Sequence, residues 1–197
     1  MNQENKNDYE QINKNYEIDD RPTTRFSTSC FEWLESIAQA IIVVVISLSF
    51  IFRIVNISGW SMLNTLRDGD KVVVLKWNYV PHNGDVVVIT RGQFLDEPLV
   101  KRVIATENQT FSIDFETGRV TVDGKILDET YIREPMWLQG DGDIPDVIPK
   151  GHSFVMGDNR NHSMDSRFKD VGIIPNENIV GKAAIILFPF DRFGMIE

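Results

Sequence analysis

The sequence predicts a mainly β domain of short antiparallel strands behind one membrane-crossing helix. Three observations predict it. An uncharged stretch runs from Ser36 to Phe52. After it, β-branched runs recur with turn dipeptides among them. Before it lies a polar segment dominated by Asn, Gln, Asp and Glu, with too little apolar surface to bury. The 197 residues therefore divide into a disordered tail over 1–28, a transmembrane helix with its flanks over 29–57, and a β domain over 58–197.

The helix comes first. Ser29 stands three residues before Glu32, the spacing of a capping box. Seventeen uncharged residues span ~26 Å as a helix, slightly less than a ~30 Å hydrocarbon core. Arg53 can snorkel, and the apolar run resumes through Ile57, which restores the length. The alternative of a single strand fails, because soluble strands do not run this long. The polar tail lacks the basic opening of a secretory signal peptide, and no Ala-x-Ala site follows directly. Charge does not orient the span: Arg21 and Arg25 precede it, while Arg53, Arg67 and Lys71 follow it.

In the β domain, Lys71-Val-Val-Val-Leu75 and Asp85-Val-Val-Val-Ile89 read as strands. Asn83-Gly84 between them predicts a hairpin turn. Thr117-Gly118 separates Phe111–Phe115 from Arg119–Val122, and Asp123-Gly124 supplies another turn at once. Lys182–Phe188 is a last apolar run. Frequent turns between short strands suggest sandwich or barrel-like packing. Trp60, Trp77, Trp137 and Leu138 could form an apolar rim at the lipid headgroups, with core packing expected for at least two of them.

Composition excludes several classes. The net charge is −9, and Lys and Arg are not clustered, which argues against nucleic acid as a partner. One cysteine, Cys30, excludes an internal disulfide and any multi-Cys site. His82, His152 and His162 are dispersed, so no metal site is expected. A Ser-His-Asp triad would need one of them beside Ser61, and nothing in the sequence indicates that. No cofactor motif is present.

Three patches carry chemistry. In Ser58-Gly-Trp-Ser-Met-Leu-Asn-Thr-Leu66, Ser61 follows a flexible glycine. A turn there exposes a hydroxyl and a backbone N–H able to receive an oxyanion, though most loop serines do neither. In Leu99-Val-Lys-Arg-Val-Ile-Ala105, alternation puts Lys101 on the face of Leu99 and Val103. Of the two adjacent charges, one must point inward or sit at an edge. A lysine among apolar neighbours loses hydration, its pKa falls, and it can act as a neutral base. A lysine that guards an edge strand is the bland alternative. Gly157-Asp-Asn-Arg-Asn-His-Ser-Met-Asp-Ser-Arg167 is dense in groups that hydrogen-bond and pair. It reads otherwise as a solvated loop or a calcium loop, but lacks the spacing and terminal Glu of an EF-hand.

Taken together behind one span, these patches resemble bacterial type I signal peptidases, in particular Gram-positive members. The resemblance covers about residues 33–197, and Gly-Asp-Asn-Arg is its most specific element. It implies a membrane-bound serine endopeptidase with a Ser/Lys dyad that removes signal peptides after an Ala-x-Ala type site. Ser61 matches the nucleophile, Lys101 the general base, and Ser163 the serine that orients that lysine. The Ser61 N–H, with Ser58 as a second candidate, matches the oxyanion donors. Arg102, Asp158, Arg160, Asp165 and Arg167 match positions that support the site. Met62 and Val100 match pocket walls. The implied partners are preprotein signal peptides and the lipid bilayer, with the tail cytoplasmic and the β domain outside. Three departures stand out: Asn64 replaces the usual proline, Gly59 stands two residues before the nucleophile where some members place serine, and Ala105–Gln109 differs from Gly-Leu-Pro-Gly-Asp. The alternatives are an inactive membrane-anchored β domain and a LexA-like self-cleaving Ser/Lys protein. The latter would carry a DNA-binding amino-terminal domain in place of the span.

Overall fold

The computed structural model describes residues 23–90 and 98–196. The chain forms two units, one up to Ile46 and one from Ser47 onward. Helix α1 spans Thr23–Ile51. Its stretch Cys30–Ile51 has 22 residues and a mean hydropathy of 2.2. At ~1.5 Å per residue that is ~33 Å, long and apolar enough to cross a membrane.

The helix differs from expectation at both ends. It begins before Ser29, so that serine is an interior residue and not a cap. Most of the expected disordered tail, residues 1–22, lies outside the described residues, while 23–28 are helical. At the other end the helix does not continue to Ile57. Phe52–Asn56 is strand β1, because Ile54 and Val55 pair with Val73 and Val72 of β2 (Lys71–Leu75). Cross-strand pairing of β-branched residues outweighs helix continuation there.

The remaining strands are β3 (Val86–Ile89), β4 (Leu99–Thr106), β5 (Phe111–Asp114), β6 (Arg119–Val122), β7 (Lys125–Ile126), β8 (His152–Met156), β9 (Ile174–Pro175), β10 (Ile179–Phe188) and β11 (Gly194–Met195). The larger sheet has the order β1-β2-β10-β3-β4-β8-β9, with β11 also on β10; β5-β6-β7 form a second sheet. The fold is thus mainly β and antiparallel, as the sequence predicts.

Asn83-Gly84 does form a turn, with Gly84 at φ +89°. It does not close a β2–β3 hairpin, since β10 lies between those strands. The turn instead packs on β4, where the Gly84 N–H donates to the Val103 carbonyl at 2.8 Å. The β5–β6 and β6–β7 hairpins form as read; Asp123 and Gly124 adopt φ +50° and +74°, the left-handed pair a two-residue turn needs.

Strand β3 is buried at all four residues. Val86 and Val88 join a cluster with Ile57, Met62, Leu66 and Val72. Val87 and Ile89 join Val103, Val155 and Ile174. A continuous apolar run suits a strand covered on both faces. A third cluster, including Phe111, Val120, Val122, Phe154 and Met156, joins the small sheet to β8. Trp60, Trp77 and Trp137 are 64%, 73% and 67% exposed. None of the three packs in the core, because the three clusters are already filled by aliphatic side chains and phenylalanines.

Candidate active site

The loop from Ile57 to Leu66 follows β1 directly. Its base is fixed by the Ile57 N–H donating to the Asp70 carbonyl and the Gly69 N–H to the Ile57 carbonyl, at 2.8 and 3.0 Å. Gly59 donates to the Asp68 carboxylate at 2.8 Å and takes φ +91°, where any side chain would be strained although space is open. The Leu63–Asn64 peptide is cis. The carbonyls on either side of the Trp60–Ser61 peptide are both held by Asn159. Its backbone N–H donates to Ser61 O at 2.9 Å, and its Nδ2 donates to Trp60 O at 3.0 Å. No acceptor among the described residues takes the Ser61 N–H.

Strand β4 lies inside the sheet, between β3 and β8, so the edge-guard alternative for Lys101 falls. Lys101 is 2% exposed and Arg102 1%. The sequence suggests that one charge points inward or sits at an edge; both are buried, on opposite faces of the strand. Lys101 pairs with Val87 in the ladder, and Arg102 with Val86 and Met156. Lys101 Nζ donates to Ser61 Oγ at 2.8 Å and to the Val100 carbonyl at 3.1 Å.

Burial lowers the Lys101 pKa from 10.5 to about 8. Asp165 and Asp158 oppose this, and Arg167 assists it. Neither carboxylate pairs with the lysine. Asp158 receives Arg102 Nε and Nη2 at 2.9 and 2.8 Å, and Asp165 receives Arg167 Nε and Nη2 at 2.8 and 2.9 Å. Desolvation therefore outweighs the residual attraction.

These pairs also fasten the three sequence patches together. Thr65, in the Ser61 loop, donates through Oγ1 to Asp158 and accepts from Arg102 Nη2. Arg102 lies under the Tyr131 ring, 4.0 Å from its centroid. Arg167 also donates to the Leu138 and Arg160 carbonyls. Arg160 pairs with Glu129 at 2.5 Å and donates to the Gly157 carbonyl. All three guanidiniums are buried with partners, as a stable buried charge requires. Glu129 and Tyr131 carry no signal in the sequence patterns; Thr65 and Asn159 lie within the first and third patches, which do not mark the bonds they make here.

Ser163 is buried, and its Oγ has no partner among the described residues. The bond to Lys101 that the resemblance implies is not formed. Gly157 stands between Ser163 and the Ser61 loop: a Cβ there would meet Ser61 O at 2.5 Å and would overlap Ser163 Oγ.

Two cavities border the Ser61–Lys101 pair, and both also have Ser58, Gly59 and Leu99 as walls. The smaller, about 300 Å³, takes its other walls from Val55, Asn56, Ile57, Met62, Pro98 and Val100. The larger, about 510 Å³, has Trp60, Arg133, Asn159, His162 and Met164. Met62 and Val100 line the smaller cavity, and Met62 belongs to the core as well. Ser58 is exposed at the shared wall. His162 makes no side-chain bond to Ser61, His82 lies 3.5 Å from Asp85, and His152 bonds the Lys150 carbonyl. No triad forms. Among the described residues no His, Cys, Asp and Glu group is arranged to hold a metal.

The family described as "Signal peptidase, peptidase S26" matches residues 30–188. A probable signal peptidase I-1 of Synechocystis is 40% identical over 147 residues, 69% of this chain and 71% of the relative. Signal peptidase I of Bacillus licheniformis is 33% identical over 180 residues, covering 86% and 95%. The crystal structure of a signal peptidase I from Enterococcus faecalis aligns with a TM-score of 0.38 at 19% identity, over 53% of this chain and 97% of that one.

Proposed function

This chain belongs to the signal peptidase family, peptidase S26, and we propose that it removes amino-terminal signal peptides from preproteins by a Ser/Lys mechanism. The observation that carries the reading is the 2.8 Å contact between Lys101 Nζ and Ser61 Oγ at a buried lysine. Neutral Lys101 takes the hydroxyl proton as Ser61 Oγ attacks the scissile carbonyl, giving an acyl-enzyme and releasing the new amino terminus. The lysine returns the proton to the leaving amine, and water then releases the signal peptide. The unpartnered Ser61 N–H receives the oxyanion, with the Ser58 hydroxyl as a second donor. The helix anchors the protein in a bilayer, with residues before it cytoplasmic and the β unit outside.

The smaller cavity, walled in part by Val55, Ile57, Met62 and Val100, receives the small residues before the cut. A preprotein ending Ala-x-Ala is therefore cut after the last Ala. Replacing that Ala with Phe should lower kcat/KM by at least ~100-fold, because Met62 is fixed in the core and the wall cannot retreat. Equal processing of both substrates would remove the pocket assignment.

The reaction also needs Lys101 unprotonated. With its pKa lowered to about 8, kcat/KM should rise about tenfold per unit from pH 6 and level off above pH 8. A plateau already reached by pH 7 would point to a histidine base and sink the dyad.

A further inference from the structure

The larger cavity bordering the dyad differs in charge. Its lining includes Arg133 and His162 and no carboxylate. Among the described residues, the Arg133 side chain makes no ion pair or hydrogen bond, and only its backbone N–H is used, toward Asp158 O. Four described carboxylates nearby in the sequence or the site are engaged elsewhere. Asp158 and Asp165 are neutralised by Arg102 and Arg167, and Glu129 by Arg160. Glu134 accepts from Asn161 Nδ2. Among the described residues, the Arg133 guanidinium in this cavity therefore has no carboxylate partner.

A peptide whose small residues occupy the smaller cavity must continue past Ser61, and the larger cavity is a second space that borders the dyad. From this we infer that the larger cavity receives the first residues of the mature protein, and that Arg133 selects acidic over basic side chains there. The inference rests on the proposed reaction, which fixes the direction of the peptide. A guanidinium attracts a carboxylate and repels an ammonium at the same position, so the two substrates diverge in opposite directions. The overall charge of −9 works against such a preference, since the long-range field favours cationic peptides. A preference for acid is thus a local signature.

The test uses the full chain in detergent. Peptides ending Ala-x-Ala before the cut carry Asp, Ala or Lys at the first, second or third position after it. The readout is the Asp-to-Lys ratio of kcat/KM within each enzyme, which cancels differences in amount and basal turnover. The wild type should favour Asp about five-fold at one position at least, the factor an exposed ion pair supplies. Arg133→Lys should keep the preference, Arg133→Gln should bring the ratio to near one, and Arg133→Glu should reverse it. A wild-type ratio of one at all three positions, or the same preference in Arg133→Gln, overturns the inference while cleavage itself stands. A wild type that leaves the alanine peptide whole overturns the proposed reaction, and the inference with it.

Discussion

Ser61→Ala and Lys101→Ala are each expected to lower preprotein turnover by on the order of 10⁴-fold, and the double variant by no more than either alone. The reason is geometric. Ser61 Oγ has one basic partner, Lys101 Nζ at 2.8 Å, and no histidine bonds to it. Removing the base leaves a hydroxyl of ordinary basicity; removing the hydroxyl leaves a base with nothing to deprotonate. Lys101→Arg should fail equally, since a guanidinium stays protonated at any working pH. Purified variants in detergent, assayed on one preprotein, decide the matter. Their integrity is checked by far-ultraviolet circular dichroism. Substantial turnover by any folded variant contradicts the dyad, and strictly additive losses would show that the two residues act separately.

Much of this site is legible from the chain alone, for a physical reason. The nucleophile loop, the lysine strand and the polar box each concentrate their chemistry within about ten consecutive residues. What holds them together is not local. Glu129 and Arg160 are 31 positions apart and Thr65 and Asp158 are 93 apart, and neither pair belongs to a short pattern. The same limit governs the sheet. Asn83-Gly84 encodes a turn correctly, but the strand that fills the place beside β2 is β10, drawn from Ile179–Phe188. A local turn signal carries no information about a strand arriving from the far end of the chain. The boundary of the helix was hidden similarly, since the apolar residues after Ile51 serve a membrane span and a sheet equally well. Arg133 lies in a segment with no periodicity at all, and only the cavity gives it a role.

Lys101 raises a further expectation, about stability. In the unfolded chain this lysine titrates near 10.5, and in the folded state near 8. Between these values the unfolded state binds more protons, so stability rises with pH from about 8 to about 10.5; it is lost as pH falls through that window. At neutral pH the fold therefore carries a penalty on the order of 3 kcal/mol for protonating a buried amine. Lys101→Met keeps the length of the side chain without the charge. It also gives up bonds to Ser61 Oγ, which open cavities let water reach, and to the Val100 carbonyl. The inactive variant should be more stable than the wild type by about 2 kcal/mol at pH 7, with the advantage shrinking above pH 8, gone just below about pH 10 and slightly reversed above it. Denaturant or thermal unfolding at pH 7 and pH 10 reads this directly. A variant less stable at pH 7, or a difference that does not change with pH, would mean that the lysine is not held in a desolvated state and that its basicity has another origin.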